Sequence, residues 1–211
     1  MQIQMNYLIT AGPTREFIDD VRYISNLSSG RMGYALAAAA KNAGHRAVLV
    51  SGPTALPAPE GVEMVLVVSA DEMREAVLKS LPEAGIIVMC AAVADYRPAQ
   101  RISGKMKKGP EVIRLELAKN PDILAELGRM KENKFLVGFA LEAENALENA
   151  RGKMAAKNTD MMVLNPPSAM AAQTADVQVL TPDGRVTGIG PAAKDAIAAE
   201  LVKMIDSLRK D

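Results

Sequence analysis

The chain has 211 residues, of which 49% are hydrophobic and 24% charged, and its 25 Lys and Arg balance its 25 Asp and Glu. This composition is typical of one soluble globular domain and excludes a largely disordered chain. A formal net charge of zero provides no overall attraction to nucleic acid or to an anionic membrane. We therefore expect neither partner, and any anion site must be built locally.

The single cysteine and single histidine limit the available chemistry. One cysteine excludes an intrachain disulfide and a cysteine-cluster metal site, and it indicates a reducing, cytoplasmic setting. The segment Met1–Tyr7 lacks the regions of a signal peptide, and the apolar runs are far shorter than the roughly 20 residues that span a bilayer. A multi-histidine zinc site is impossible. We interpret His45, between a helix end and a strand, as a surface residue.

In the first half of the chain, short apolar strands alternate with helical patterns, which predicts a parallel sheet with crossover helices. Ser28 or Ser29 is expected to cap the first helix and Gly44 to end it, and Ser69 opens a capping box for the second. The predicted strands are Asn6–Thr10, Ala47–Ser51, Val62–Val68 and Ile86–Ala91, and the predicted helices are Gly30–Ala43 and Ser69–Leu81.

The second half continues this alternation and then changes character. Asn120 is predicted to cap a helix that has proline at its first position. The turn Pro182–Gly184 predicts a hairpin, and a helix closes the chain. The remaining predicted elements are helices Pro121–Lys131, Ala143–Asn158 and Pro191–Arg209, strands Phe135–Ala140 and Met161–Asn165, and hairpin strands Val177–Leu180 and Arg185–Ile189.

These elements predict one α/β domain over residues 1–211, with a Rossmann-like, doubly wound, mainly parallel sheet and a C-terminal β-hairpin extension. Ligands of such folds bind beyond the C-terminal ends of the strands, near the switch in strand order. The usual nucleotide motifs are nevertheless missing. No G-x-G-x-x-G follows the first strand, and Gly104-Lys105 precedes Met106 where a P-loop would have Ser or Thr. Tyr-x-x-x-Lys is also missing, which weakens the case for a generic NAD enzyme.

Three segments together suggest a family. They are ITAGPTRE at 9–16 continuing to VRYISNLSSGRMG at 21–33, CAAVADY at 90–96 followed by KMKK at 105–108, and KNPDIL at 119–124 with VGFA at 137–140. In this order they resemble the phosphopantothenoylcysteine synthetase domain of the bacterial bifunctional coenzyme A biosynthesis protein. The resemblance runs from about Tyr7 to the C-terminus.

The resemblance implies a ligase that joins 4'-phosphopantothenate to cysteine. In this family phosphopantothenate attacks the α-phosphate of CTP to give an acyl-cytidylate, and the cysteine amine then displaces CMP. We expect Mg²⁺ to act mainly through the triphosphate oxygens. The family usually carries an N-terminal flavin-dependent decarboxylase that this sequence does not include, so no FMN is expected. A stand-alone ligase and an excised domain, and CTP and ATP, all stay open.

The resemblance also implies roles for individual residues. Asn26 would hold the acyl-cytidylate, and Lys105 would reach the phosphates from a flap at about Arg97–Gly109. Asp95 would contact the ribose, and Lys153 and Lys157 the phosphates. The other implied nucleotide contacts are the backbone of Met89, Cys90 and Ala91, the helix start at Pro121, Asp122, Ile123 and Leu124, and Phe139.

Simpler interpretations remain open for several of these residues. The turn Ser28-Ser29-Gly30 offers N–H groups and hydroxyls to an anion at a helix N-terminus, but it could also be a plain cap. Asn26 could be a turn residue, and the lysines around Lys105 a solvated loop. Lys153 and Lys157 could form a solvated helix face. Cys90 is predicted to be a packing residue, because no histidine base lies near it in sequence.

Two other functions and one assembly are also considered. A nucleotide-sugar or NAD(P)-dependent oxidoreductase would bind reduced cofactor, and a non-catalytic nucleotide-binding module would bind CTP without releasing pyrophosphate. Asn26 and Lys105 argue against the second alternative. Family members form homodimers in which one subunit helps to bind the phosphopantothenate of the other. The hairpin at about Val177–Ile189 is a candidate for that contact.

Overall fold

The structure, a computed structural model, describes residues 3–107, 109, 111–141, 145–166 and 174–209. Lys108 and the predicted helix start at Ala143 lie outside these residues. The strands are β1 Asn6–Ala11, β2 Arg15–Phe17, β3 Tyr23–Ser25, β4 Arg46–Ser51, β5 Glu63–Leu66, β6 Ile86–Met89, β7 Tyr96–Pro98, β8 Leu117–Lys119, β9 Phe135–Leu141, β10 Met161–Asn165, β11 Thr174–Leu180 and β12 Val186–Ala193. The helices are α1 Arg31–Asn42, α2 Ala70–Ser80, α3 Ile123–Met130, α4 Ala146–Lys157 and α5 Lys194–Arg209.

Eight strands form one sheet in the order β12-β11-β10-β9-β6-β1-β4-β5. The six strands from β10 to β5 are parallel, whereas β11 and β12 are antiparallel neighbours at one edge. The chain builds outward from β1 through β4 and β5, and then crosses over to build β6, β9 and β10 on the other side. The predicted α/β, doubly wound fold is confirmed, and its switch point lies between β1 and β6.

Helices cover both faces of the sheet because the central strands are apolar on both faces. Helices α1 and α5 pack on one face and bury Leu36 and Leu201 in the larger core cluster. Helices α2 and α3 cover the other face, where Met73 and Leu127 are fully buried. Among the described residues, no helix combines the length and apolar character that crossing a lipid bilayer requires.

Helix α1 approaches β1 unusually closely at Gly33. A Cβ built on Gly33 would lie 2.5 Å from the Cβ of Ala11 and 2.9 Å from the carbonyl oxygen of Thr10. The glycine therefore lets the start of α1 rest almost directly on the C-terminal end of β1. This contact places the N-terminus of α1 beside the switch point.

Two predicted helix caps are wrong. The N-cap of α1 is Gly30 at φ +77°, not Ser28 or Ser29, and no side chain caps this helix. The N-cap of α3 is Asp122, whose carboxylate accepts the Ala125 N–H at 3.0 Å. Asn120 is instead buried, and its amide donates to the carbonyl of Ala94 at 2.8 Å. In both cases a residue nearer the helix is the cap. The Ser28 hydroxyl instead accepts the Gly30 N–H at 3.3 Å, and Asn120 makes a tertiary contact.

The structure also corrects the interpretation of His45 as a surface residue, since only 2% of it is exposed. Its Nε2 lies 2.8 Å from the Asp206 carboxylate, and its Nδ1 accepts the Met5 N–H at 3.2 Å. The same carboxylate accepts the Tyr7 hydroxyl at 2.6 Å, and burial raises the pKa of Tyr7 far above its usual value. The return of α5 over the start of the sheet, which no local pattern predicts, buries this residue.

The predicted flap starts later than expected. Arg97 and Pro98 belong to β7, which pairs with β8. The Arg97 guanidinium fixes this ribbon by donating to the carbonyl of Lys119 at 3.0 Å and to the side chain of Asn120 at 2.8 Å. The sequence prediction missed this ribbon and the β2–β3 hairpin because three-residue strands in polar loops have too little periodicity to be recognised.

Candidate active site

Two threonines join the loops of the first two motifs at the switch point. The fully buried hydroxyl of Thr10, near the end of β1, accepts the N–H groups of Cys90 and Ala91, each at 3.1 Å. The hydroxyl of Thr14 accepts the Ala94 N–H at 3.0 Å. The turn after β6 therefore takes its shape from one side chain near the end of β1 and one in the loop that follows it.

Asn26 lies at the rim of this arrangement. Its amide nitrogen donates to the carbonyl oxygens of Ala92 and Val93, at 3.0 and 3.3 Å. The residue is otherwise exposed, and its amide oxygen has no hydrogen bond within the described part of the chain. The side chain is thus held in place by its nitrogen while an acceptor atom remains available.

A cleft of about 140 Å³ opens beside these loops at the N-terminus of α1. The turn 28–30 forms one wall, and the ends of β6, β9 and β10 supply the others. Its lining consists of Ser28, Ser29, Gly30, Arg31, Met32, Gly33, Cys90, Ala91, Ala92, Phe139, Ala140, Leu141, Asn165, Ala175 and Lys194. The unpaired N–H groups of a helix N-terminus favour an anion at such a position.

The titrating groups of the cleft are strongly affected by burial. Burial raises the pKa of the Cys90 thiol to about 12, so the thiol stays protonated at neutral pH and the prediction of a packing residue is consistent with its surroundings. Burial also lowers the pKa of Lys194, and Arg31 lowers it further. Arg31 and Lys194 are the two basic residues that line the cleft.

The sequence analysis missed Arg31, Asn165 and Lys194 as cleft residues. A signal for Asn165 was available, because it ends the predicted strand Met161–Asn165 at the edge where ligands bind. Its side-chain oxygen is buried and has no hydrogen-bond partner among the described residues. No local sequence pattern indicated Lys194. This first residue of α5 is brought to the cleft by the path of the chain through the β11–β12 hairpin.

The third motif is attached to the second by Asn120 and borders the site at α3. Burial raises the pKa of Asp122, but hydrogen bonds from the Ala125 N–H and from Lys157, at 3.2 Å, lower it to a net value below its usual range. Lys157 is thereby held near the start of α3. Asp95, one residue beyond the buried Ala94, is exposed.

The structure places the predicted site residues in several parts of the molecule. Ser28, Ser29, Gly30, Cys90, Ala91 and Phe139 line the cleft, and Asn26 and Asp95 lie on the loops around it. Pro121, Asp122, Ile123 and Leu124 form the start of α3, while Lys153 and Lys157 line a separate shallow groove on α4. Lys105 is exposed beyond the β2–β3 hairpin, and Met89 is buried in β6 with only its backbone near the turn.

Comparison with known proteins identifies the family of this chain. A family profile described as the DNA/pantothenate metabolism flavoprotein C-terminal domain matches residues 3–208. The chain belongs to this family. The family predicted from the three motifs is thereby confirmed, and the matched range contains every residue of the cleft.

Other members of the family give the degree of similarity. The coenzyme A biosynthesis bifunctional protein CoaBC of Bacillus subtilis is 50% identical over 159 residues, which cover 75% of this chain and 39% of that protein. The CoaBC protein of Escherichia coli K12 is 48% identical over 166 residues, covering 76% and 41%. The matched region is therefore about two fifths of the length of these relatives.

Two solved structures show the same architecture. The crystal structure of the C-terminal domain of CoaBC superposes with a TM-score of 0.87 at 41% identity, covering 100% of this chain and 98% of the other. A Cab2 variant in complex with phosphopantothenate-cysteine superposes with a TM-score of 0.78 at 15% identity, covering 97% and 87%. At that identity the second match shows the fold alone.

Proposed function

We propose that this domain is a ligase that condenses 4'-phosphopantothenate with cysteine, using CTP and Mg²⁺, in coenzyme A biosynthesis. The observation that carries the proposal is the junction of the three motif loops around one cleft at the switch point, where Thr10, Asn26 and Asn120 each bind the 90–95 turn. This junction explains why those residue types occur in those motifs. The family membership supports the same activity.

The reaction has two steps. The phosphopantothenate carboxylate attacks the α-phosphorus of CTP, and the bond to the leaving pyrophosphate breaks. The cysteine amine then attacks the activated acyl carbon, loses a proton, and expels CMP as the C–O bond breaks. Both steps concentrate negative charge, which fixed cations and oriented N–H groups stabilise.

The cleft suits part of the nucleotide rather than all of it. Its volume of about 140 Å³ is below the roughly 300 Å³ at which pockets begin to enclose a whole small ligand. The N-terminus of α1, Arg31 and Lys194 give this volume a positive character, so we assign it to phosphate oxygens. The ribose and base would then extend across the exposed rim towards Asp95 and α3.

Mg²⁺ enters this scheme as part of the nucleotide substrate. The described residues contain no group of three His, Cys, Asp or Glu side chains that could hold a metal ion. We therefore assign no protein ligand to Mg²⁺ and expect it to bridge triphosphate oxygens. Its charge would add to that of the lysines in stabilising the departing pyrophosphate.

Asn26 and Lys105 are the proposed catalytic residues. The amide oxygen of Asn26 would accept a hydrogen bond from the cysteine amine that attacks the acyl-cytidylate. Lys105, on the proposed flap, would contribute a cation to the α-phosphate as charge develops. Closing the flap would also exclude water, which otherwise hydrolyses an activated acyl group.

Lys153 and Lys157 are proposed to bind the outer phosphates from α4. Lys157 already forms an ion pair with Asp122 at the start of α3, so it is directed towards the same edge as the cleft. Lys153 lies one turn earlier on the same helix face and is exposed. A bound triphosphate would offer these two like charges a common counter-ion.

The homodimer remains a proposal with two candidate surfaces. The hairpin β11–β12 ends the sheet, and β12 is its outer strand. A second surface is formed by Val21, Tyr23 and Leu27 around the β2–β3 hairpin, which are 57%, 42% and 88% exposed. Apolar side chains grouped in this way beside the cleft favour a contact through which one subunit could complete the site of another.

The deciding experiment is a pyrophosphate-release assay with CTP or ATP that omits phosphopantothenate or cysteine in turn. We expect release only when phosphopantothenate, Mg²⁺ and nucleotide are all present, and phosphopantothenoylcysteine by mass spectrometry once cysteine is added. Lys105→Gln should slow release by roughly 100-fold or more. Asn26→Asp should form the acyl-nucleotide but use it poorly, because its carboxylate repels the phosphate.

Lys203→Gln is the matched control for charge removal, since Lys203 is exposed and pairs with Glu200 on the surface of α5. Folded protein that yields no product with either nucleotide would refute the proposal. Nucleotide binding without pyrophosphate release would instead favour the non-catalytic binding module.

A further inference from the structure

The segment that carries Lys105 is docked on the tip of the β2–β3 hairpin. The Ile102 N–H donates to the carbonyl of Ile18 at 2.9 Å. Beyond it, the N–H of Gly104 donates to the Asp20 carboxylate at 2.9 Å, and the N–H of Met106 donates to the Asp19 carboxylate at 3.0 Å. Two adjacent acidic residues therefore bind the backbone on the two sides of Lys105.

These contacts fix both peptide planes that flank the Lys105 Cα. The plane before it carries the carbonyl of Gly104, which accepts the Asp20 N–H at 3.2 Å. The plane after it carries the Met106 N–H, which Asp19 holds. Because peptide units are planar, fixing the two planes fixes the φ and ψ of Lys105. In the ligand-free protein, the side-chain torsions of Lys105 then keep the most freedom.

Asp19 is a rigid anchor for this arrangement. It is completely buried, and besides Met106 it accepts the N–H groups of Val21 and Arg22, at 2.8 and 2.7 Å, and the Arg22 guanidinium at 3.1 Å. Burial alone raises the pKa of its carboxyl, but these hydrogen bonds and the Arg22 charge lower it to a net value below the usual range. Asp19 is therefore ionised at neutral pH, and charge-assisted bonds are the stronger kind.

Asp20 is the accessible partner in the pair. Its side chain is 51% exposed, and its second carboxylate oxygen accepts the Arg101 guanidinium at 2.9 Å. Gly104 adopts φ +72°, a backbone conformation that glycine tolerates and that turns the chain between the two carboxylates. Asp20 thus binds residues 101 and 104, whereas Asp19 binds residue 106.

We propose that Asp19 and Asp20 are positioning residues for the ligase reaction, which clamp the backbone on both sides of Lys105 and so pre-set where its ammonium reaches. The inference rests on the proposed catalytic role of Lys105. It attaches the segment that carries Lys105 to the tip of the hairpin whose second strand, β3, leads directly into Asn26. Pre-organising a cation in this way lowers the reorganisation needed as phosphate charge develops.

The structural test uses ligand-free protein and needs no activity. Asp20→Ala is the main variant because its exposed side chain leaves the core intact, and Glu75→Ala on the exposed face of α2 is the matched control. Residue-resolved amide hydrogen exchange by NMR should show the Gly104 N–H exchanging roughly tenfold faster in Asp20→Ala, the loss expected for one charge-assisted bond. The control should exchange like the wild type. Unchanged exchange at Gly104 in Asp20→Ala would overturn the clamp.

The catalytic test asks whether Asp20 acts through Lys105. We expect Asp20→Ala to lower kcat and kcat/KM for pyrophosphate release together by roughly tenfold, and Asp20→Asn, which keeps an acceptor oxygen, to restore most of the rate. In a Lys105→Gln background the same Asp20→Ala change should cost nothing further. An equal loss in both backgrounds, or turnover equal to or above that of the wild type in Asp20→Ala, would overturn the inference.

The two arms also separate this inference from the proposed function. If the wild type released no pyrophosphate with CTP or ATP, the ligase proposal and any catalytic role for the clamp would both fail, whereas the exchange result would still decide whether the clamp exists. If the wild type is active and the exchange of Gly104 is unaffected by Asp20→Ala, only the clamp is wrong.

Discussion

Thr10→Val removes a single oxygen atom from the centre of the site and nearly preserves side-chain shape. The Thr10 hydroxyl accepts two backbone N–H groups, those of Cys90 and Ala91, and valine can accept neither. A buried N–H left without an acceptor costs about 1–3 kcal/mol. Because the turn is partly exposed to the cleft, we expect the free energy of unfolding to fall by about 2–4 kcal/mol rather than by the full sum.

The measurement is urea unfolding of the wild type, Thr10→Val and the exposed control Thr174→Val. The slope m, by which the unfolding free energy falls with urea concentration, should be the same in all three if unfolding is two-state. The midpoint should fall for Thr10→Val at constant m and stay nearly unchanged for the control. Pyrophosphate release should fall as well, because the 90–92 turn also holds Asn26. A loss below about 0.5 kcal/mol, the scatter of surface substitutions, would show that the two N–H groups find other acceptors and would refute the reasoning.

Three further predictions test packing, pH dependence and assembly. Gly33→Ala should destabilise the fold by about 1–3 kcal/mol, because the added Cβ would be overpacked against β1. Gly152→Ala on α4 should stabilise the fold, because its Cβ would meet no atom within 4 Å. Equal effects of the two substitutions in thermal unfolding would contradict the close contact between Gly33 and β1. The lowered pKa of Asp122 adds stability that is fully present above pH about 4 and declines as pH falls through the folded-state pKa. The difference in unfolding free energy between the wild type and Asp122→Asn should therefore become smaller as the pH falls. A difference that does not change with pH would contradict a lowered pKa for Asp122. Light scattering should give about twice the 22.5 kDa chain mass at micromolar concentration, and a monomer alone would exclude the homodimer.

A separate prediction concerns amide exchange in the flap. The contacts between this segment and the hairpin make the expected exchange pattern more specific. Amides from Ala99 to Met106 should exchange more slowly when CTP and phosphopantothenate are both bound than in the free protein. In the free protein, the amides of Ile102, Gly104 and Met106, which have acceptors on the hairpin, should already be among the slowest of this segment, together with that of Ala99, which donates to the Glu116 carbonyl. Equal protection with and without ligand would show that ligand does not order the segment.

The sheet could be predicted from the sequence because its signal is local. Each central strand is a short apolar run, and Met161–Asn165 was predicted with the bounds that the structure gives. The motif loops could also be placed at one edge, since parallel strands with helical crossovers bring their C-terminal ends together. The position of β11 and β12 in the sheet was not predictable in this way, because it depends on which edge strand of the parallel sheet has an unpaired side for the hairpin to join.

Features set by tertiary partners could not be predicted. Asn120 has the sequence position of a helix cap, but the buried carbonyl of Ala94 competes for its amide. The segment that carries Lys105 has few large apolar residues to signal its position, and its anchors are two carboxylates more than eighty residues earlier. Lys194 reaches the cleft from the last helix. In each case the deciding group is remote in sequence and polar, so it leaves no periodic pattern.

The hydrogen bond between Tyr7 and Asp206 brings the first strand and the last helix side by side. The two ends of the described chain are therefore close in space and lie away from the cleft, which is the arrangement that tolerates circular permutation. Joining them with a short linker and opening the chain at the exposed β11–β12 turn, near Gly184, would leave every strand of the parallel sheet continuous. Such a permutant would place new termini next to the outer strand β12, where fusion to a reporter could follow events at the sheet edge.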